Sequence, residues 1–117
     1  MNPRDKIIVK KLLKYTHQVA ETIEIMDLDY EKFKNDFIAR NAISMCILQI
    51  SELANKLTQE FKTSYSTIPW RAIISMRNRM AHDYDESDIE MIWNTAIEDI
   101  VNLSNYCRSI LGDISSE

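Results

Sequence analysis

One glycine, Gly112, and two prolines, Pro3 and Pro69, are all that a chain of 117 residues has for sharp changes of direction. A β-rich fold needs many tight turns, and most of those need glycine or proline at defined positions. Long helices joined by few connections do not. The scarcity points to an all-α fold, and the length to a single domain over residues 1–117. A core of this size is modest, so burial of apolar surface against a second copy would add appreciably to stability.

Hydrophobic spacing divides the chain into three long helices and one shorter one. The first is expected over Asp5–Met26, where Ile8, Leu12, Tyr15, Val19, Ile23 and Met26 recur in steps of three and four. Asp27-Leu28-Asp29 breaks the pattern, and a turn is expected over Tyr30–Lys34. The second helix is expected over Asn35–Gln59, with the seam Ala39, Ile43, Cys46, Ile50, Leu53 and Leu57. Thr63–Thr67 is small and polar and reads as a loop. Pro69 suits the first turn of a third, shorter helix ending at His82 or Tyr84. Ser87 with Glu90 three residues on reads as a capping box. The fourth helix then runs to Leu111 along Ile89, Trp93, Ala96, Ile100, Leu103, Cys107 and Ile110, with Gly112 as its C′ residue. The expected architecture is an up-down helical bundle.

Several function classes recede on these grounds. Cys46 and Cys107 lie within apolar seams with no C-x-x-C spacing, so they read as buried free thiols and not as metal ligands or a disulfide. No cofactor or metal is expected. Met1–Lys14 is charged throughout and lacks a leader-like apolar run, and no segment approaches the apolar length of a membrane span. A cytoplasmic protein is expected. Trp70 and Trp93 read as core residues and His17 as a solvated face residue. The six methionines read as core gap-fillers, with Met76 and Met80 near a possible dimer surface.

The net charge of −4 argues against nucleic-acid binding, but its distribution does not. Between Phe61 and His82 there are four cations (Lys62, Arg71, Arg77 and Arg79) and no anion. Between Asp83 and Asp99 there are seven anions and no lysine or arginine. The polar cluster Arg77-Asn78-Arg79-Met80-Ala81-His82-Asp83-Tyr84 sits at this boundary. On a straight helix Asn78 and His82 share a face, about 40° apart, and Arg79 lies about 60° from His82. Arg77 and His82 would be about 140° apart, so they converge only if the helix bends or ends nearby, or if a second subunit completes the site. A histidine can move a proton near neutral pH, and an arginine beside it can hold a phosphate and offset transition-state charge. Together they suffice to activate the 2′-hydroxyl of RNA against its own phosphate. The alternative is a surface patch of cations favoured by a helix C-terminus. Glu52 either pairs with Lys56 one turn on or braces Arg77.

The segment Ile68-Pro69-Trp70-Arg71-Ala72-Ile73-Ile74-Ser75-Met76-Arg77-Asn78-Arg79-Met80-Ala81-His82-Asp83-Tyr84 resembles the signature of the HEPN superfamily, in its HepT-like branch, which carries Arg-x4-His-x-Tyr. The likeness extends upstream through Gln49-Ile50-Ser51-Glu52-Leu53-Ala54 and downstream through Asp88-Ile89-Glu90-Met91-Ile92-Trp93. It implies a homodimer whose two motifs face one another across a cleft, which would relieve the angular separation of Arg77 and His82. It implies a metal-independent endoribonuclease that leaves a 2′,3′-cyclic phosphate and acts as the toxin of a toxin–antitoxin pair. His82 would be the acid/base, Arg77 would bind the scissile phosphate, Asn78 would orient one or the other, and Arg79 would add to phosphate binding. Tyr84 would be the position adenylylated by a minimal nucleotidyltransferase antitoxin. Three positions depart from the pattern: Asp83 stands where many relatives have glycine, Asp85 where many have an aromatic residue, and Ser51 where glycine is usual. Asp83 would raise the pKa of His82 or repel phosphate, and Ser51 would alter packing only. Two further readings stay open. One is a catalytically silent dimeric partner that docks the nucleotidyltransferase; the other is a small-nucleotide-binding module with Arg77 and Arg79 as phosphate ligands.

Overall fold

Asn2 starts the first helix. Its side-chain oxygen accepts the Arg4 N–H at 2.8 Å, and Pro3 takes the first helical position, where an N–H would have no partner in the helix. The computed structural model describes residues 1–80 and 85–115. Helix α1 spans Pro3–Ile25 and ends in a Schellman motif. The Leu28 N–H reaches back to the Ile23 carbonyl at 2.9 Å and the Asp27 N–H to that of Glu24 at 3.1 Å. Asp27 stands where glycine is usual, with φ at 50°.

Side-chain caps divide the rest of the chain more finely than hydrophobic spacing does. The Asp29 carboxylate accepts the Lys32 N–H at 2.9 Å, so the expected turn is a six-residue helix, α2 (Tyr30–Asn35). Asp36 accepts from Ile38 and Ala39 and opens α3 (Phe37–Asn55), which is shorter at both ends than the expected Asn35–Gln59. Thr58 caps α4 (Gln59–Ser64) by accepting the Phe61 N–H, so the expected Thr63–Thr67 loop begins inside a helix. The buried Asp5 carboxylate in turn accepts both the Thr58 N–H (3.0 Å) and its hydroxyl (2.7 Å), joining the start of α1 to the start of α4.

The expected third helix is two pieces, α5 (Trp70–Ser75) and α6 (Arg77–Met80). The Ile73 carbonyl accepts the Met76 N–H, a tight i→i−3 bond at 3.3 Å, and also the hydroxyl of the fully buried Ser51 at 2.9 Å. A side chain that inserts into the helical ladder is a recognised cause of such breaks. Ser51 thus does more than alter packing, because it ties α3 to α5. Pro69 is the N-cap of α5 and not part of its first turn.

Helix α7 (Glu86–Asn94) is capped by Asp85 with Asp88 in a reciprocal box, and not by Ser87 with Glu90. A π turn over Thr95–Asp99 leads into α8 (Ile100–Ser115). Gly112 lies inside α8 with no positive φ, so it is not a C′ residue.

The seams pack largely as their spacing requires. Every expected α3 position is buried, as are Trp93, Ala96, Ile100, Leu103, Cys107 and Ile110. Helix α1 packs on α3 and α8, and α3 also carries α5 and α6. Phe33 of α2 meets Trp93 of α7 with ring centroids 5.1 Å apart. Among the described residues there is no strand. Met76 is buried, whereas Met1, Met45 and Met91 are exposed and fill no gap in the core. Helix α3 is, by length and composition alone, apolar enough to cross a membrane (19 residues, mean hydropathy 1.2), contrary to expectation. Its buried face, from Ala39 to Ala54, packs in the core against α1 and α5, while Phe37, Ile38 and Met45 are exposed.

Candidate nucleic-acid interface

The turn before α5 shapes the site. Pro69 lies near the centre of an inverse γ-turn (φ −79°, ψ 67°), with the Trp70 N–H bonded to the Ile68 carbonyl at 2.8 Å. The Tyr65 carbonyl accepts both the Ile68 N–H and the Trp70 indole N–H, each at 3.1 Å. Trp70 is thereby held in the core beside Phe61, ring centroids 5.9 Å apart, and the next residue, Arg71, is exposed. The break at Met76 makes Arg77 the first residue of α6.

An open groove of about 720 Å³ runs along this surface. Lys62 of α4, Arg71 of α5, and Arg77 and Asn78 of α6 line it, above an apolar floor that includes Ile68, Trp70 and Ile74. No carboxylate is among the lining residues, in a chain whose net charge is −4. The Arg77 guanidinium is 3.6 Å from the Glu52 carboxylate, each about 43% exposed. An ion pair so wet contributes at most about 1 kcal/mol to stability, but it restrains where the guanidinium points. Of the two partners expected for Glu52, the structure pairs it with Arg77.

The structure therefore brings Arg77 and Asn78 together in one groove. His82 and Tyr84 lie outside the described residues, as does the side chain of Arg79. Lys62 and Arg71 were not foreseen as site residues, although both belong to the anion-free run between Phe61 and His82. Their convergence depends on α4, whose cap involves Asp5, 53 residues away.

Other reactive groups are placed apart from this chemistry. Burial pushes the Cys107 thiol up to about 12 and raises Cys46 as well, so neither supplies a thiolate near neutral pH. His17 of α1 accepts from the Arg108 guanidinium of α8 at 2.9 Å, because a guanidinium can only donate. His17 is exposed, as expected of a face residue, yet it has a partner. Among the described residues no group of three or more histidine, cysteine, aspartate or glutamate side chains gathers as a metal site.

An all-α bundle with Arg77 opening a short motif helix, five residues before His82, has the arrangement of a HEPN-type protein. The ribonuclease HepT-like family model matches residues 12–110, and the chain belongs to that family. A candidate ribonuclease HepT of Thermococcus cleftensis is 30% identical over 94 residues, covering 76% of this chain and 86% of the relative. A candidate RNase of Methanocaldococcus jannaschii is 26% identical over the whole of both chains. Another, of Caldanaerobacter subterraneus subsp. tengcongensis, is 28% identical over 74% of this chain and 78% of its own length. No solved structure is a significant match.

Proposed function

We propose that the protein is an endoribonuclease that cuts RNA without a metal ion. The 2′-hydroxyl of one nucleotide attacks its own 3′-phosphate, the bond to the next 5′-oxygen breaks, and the products are a 2′,3′-cyclic phosphate and a free 5′-hydroxyl. His82 takes the proton from the 2′-hydroxyl or delivers one to the leaving oxygen. Arg77 holds the phosphate and offsets charge as the fifth P–O bond forms. Asn78 orients one or the other, and Arg79 adds to phosphate binding. The observation that carries this reading is the groove, where Lys62, Arg71 and Arg77 converge without a lining carboxylate on an acidic chain. Attraction for a polyanion is thus local and shaped. The names of the relatives, RNase and ribonuclease HepT, agree with it.

The finer reading is a cytoplasmic homodimeric toxin. A minimal nucleotidyltransferase antitoxin silences it by transferring an adenylyl group from ATP to the Tyr84 phenol oxygen, with release of pyrophosphate and the phenol proton. The added phosphate would place negative charge in a neighbourhood built for RNA phosphates.

The test is cleavage of labelled bulk RNA in excess EDTA. Wild type is expected to leave cyclic phosphate ends, and His82→Ala to lower the rate by about 10²–10⁴ while folded. Arg77→Ala should also be folded and inactive. If pure, unmodified wild type leaves transfer, ribosomal and messenger RNA intact, catalysis is refuted and a dimeric docking partner takes its place.

A further inference from the structure

A second pocket lies on the opposite flank of α5. It has about 320 Å³ between α5 and α8 and shares Pro69 and Ser75 with the basic groove. Ile73, Met76 and Leu103 form an apolar floor, and Asp99, Asn102 and Tyr106 stand at its polar side. We infer that this pocket receives one nucleobase of the strand whose phosphates lie in the basic groove, stacked on Tyr106 and read at its edge by Asp99 and Asn102. The inference rests on RNA being the ligand of that groove.

The two cavities divide the chemistry of a nucleotide between them. The basic groove has three cations and no carboxylate among its lining residues, whereas the second pocket has one carboxylate and no cation. A phosphate is drawn to the first and repelled from the second. A base has a flat apolar face and a polar edge, and single-stranded RNA is recognised by stacking such faces on aromatic rings and bonding their edges. The pocket volume sits at the lower end of the about 300–1,000 Å³ usual for ligand sites, in keeping with one base.

Asp99, Asn102 and Tyr106 are exposed, and none has a partner among the described residues. Asp99 is the last residue of the π turn, a local distortion that recurs at functional sites. The turn begins at Thr95, whose hydroxyl bonds the Met91 carbonyl at 2.9 Å. A carboxylate accepts from an exocyclic amine, which cytosine, adenine and guanine carry and uracil lacks, so the pocket should discriminate against uracil. Asn102 can donate and accept at the same edge.

The test uses hexanucleotides with every ribose 2′-O-methylated, which bind but lack the attacking hydroxyl. One base at a time is removed, and affinity is read by fluorescence anisotropy. Wild type is expected to show one position where the abasic substitution weakens binding by about 5- to 150-fold, and Tyr106→Ala to shrink that penalty to below about 2-fold. Asp99→Asn should erase the discrimination against uracil there, and Asn102→Ala should weaken it. Both are exposed positions, so the test does not depend on the tyrosine variant folding. A flat abasic scan, or a penalty unchanged in all three variants, overturns the inference while leaving RNA cleavage standing. Absence of binding by any hexanucleotide overturns the inference and its premise together.

Discussion

Removing one cation from the groove should change how RNA binding responds to salt, by an amount the structure fixes. Each cation that neutralises a phosphate releases condensed counterions, and for a single strand log K falls with log salt at about −0.7 per contact. Lys62, Arg71 and Arg77 line the groove. Three contacts give a slope of about −2.1, so raising salt from about 50 to about 200 mM weakens binding about 18-fold. Arg71→Gln leaves two, a slope of about −1.4 and a loss of about 7-fold over the same range. Arg71 is exposed and has no part in the proposed proton transfers, so the variant should fold as wild type does. The assay is anisotropy of a 2′-O-methyl oligonucleotide titrated at several salt concentrations. Lys10→Gln, an exposed position on α1 outside the groove lining, serves as the control and should keep the wild-type slope. Equal slopes for wild type and Arg71→Gln, or an equal change in Lys10→Gln, would refute the groove as the phosphate track.

Three predictions concern stability. Asp5→Ala removes the acceptor of two hydrogen bonds at Thr58, so urea melts should show a loss of about 2–4 kcal/mol, and Asp5→Asn a smaller one. Asp27→Gly relieves a left-handed backbone at the end of α1; a gain of up to about 1 kcal/mol is expected, because the Asp27–Lys32 pair it removes is largely solvent-exposed. Cys107 carries a folded pKa of about 12 against an ordinary 9.0, so the folded state holds its proton over a range where the unfolded state releases it. Its contribution is therefore constant below about pH 9 and lost as pH rises from there through about 12, and a thiol reagent at pH 8 should label it only after denaturant is added.

What was legible in the sequence was whatever depends on period alone. The seam Ala39–Ile43–Cys46–Ile50–Leu53–Leu57 is buried throughout because one face of a helix must be. Boundaries were less legible, because several caps compete. Ser87 with Glu90 fits the usual Ser/Thr-x-x-Glu/Gln box and was the one read from the sequence, whereas the structure uses Asp85 with Asp88. The helices at Tyr30–Asn35 and Gln59–Ser64 are too short for periodicity to register, and Thr58 gains its anchoring carboxylate from far along the chain. For the site, Arg77 and Asn78 could be named from the motif. The break that sets Arg77 at a helix start could not, since its cause is a hydroxyl from α3 acting on α5. The pairing of Glu52 with Arg77 was one of two alternatives, and local spacing could not decide between Arg77 and Lys56. Asp99, Asn102 and Tyr106 carried no signal beyond being the polar flank of an apolar seam.

The π turn makes the last long helical rod a two-throw crankshaft. Its first half, α7, meets α2, and its second half, α8, lies along α1. A straight α-helix carries one stripe along its whole length; one extra residue in a turn swings the downstream stripe by about 100°. The rod can therefore face two partners that lie in different directions from its axis without interrupting the chain. Its two halves are also clocked to each other. A residue added or deleted between Trp93 and Ile100 would leave each half sound in itself and turn one of them away from its partner.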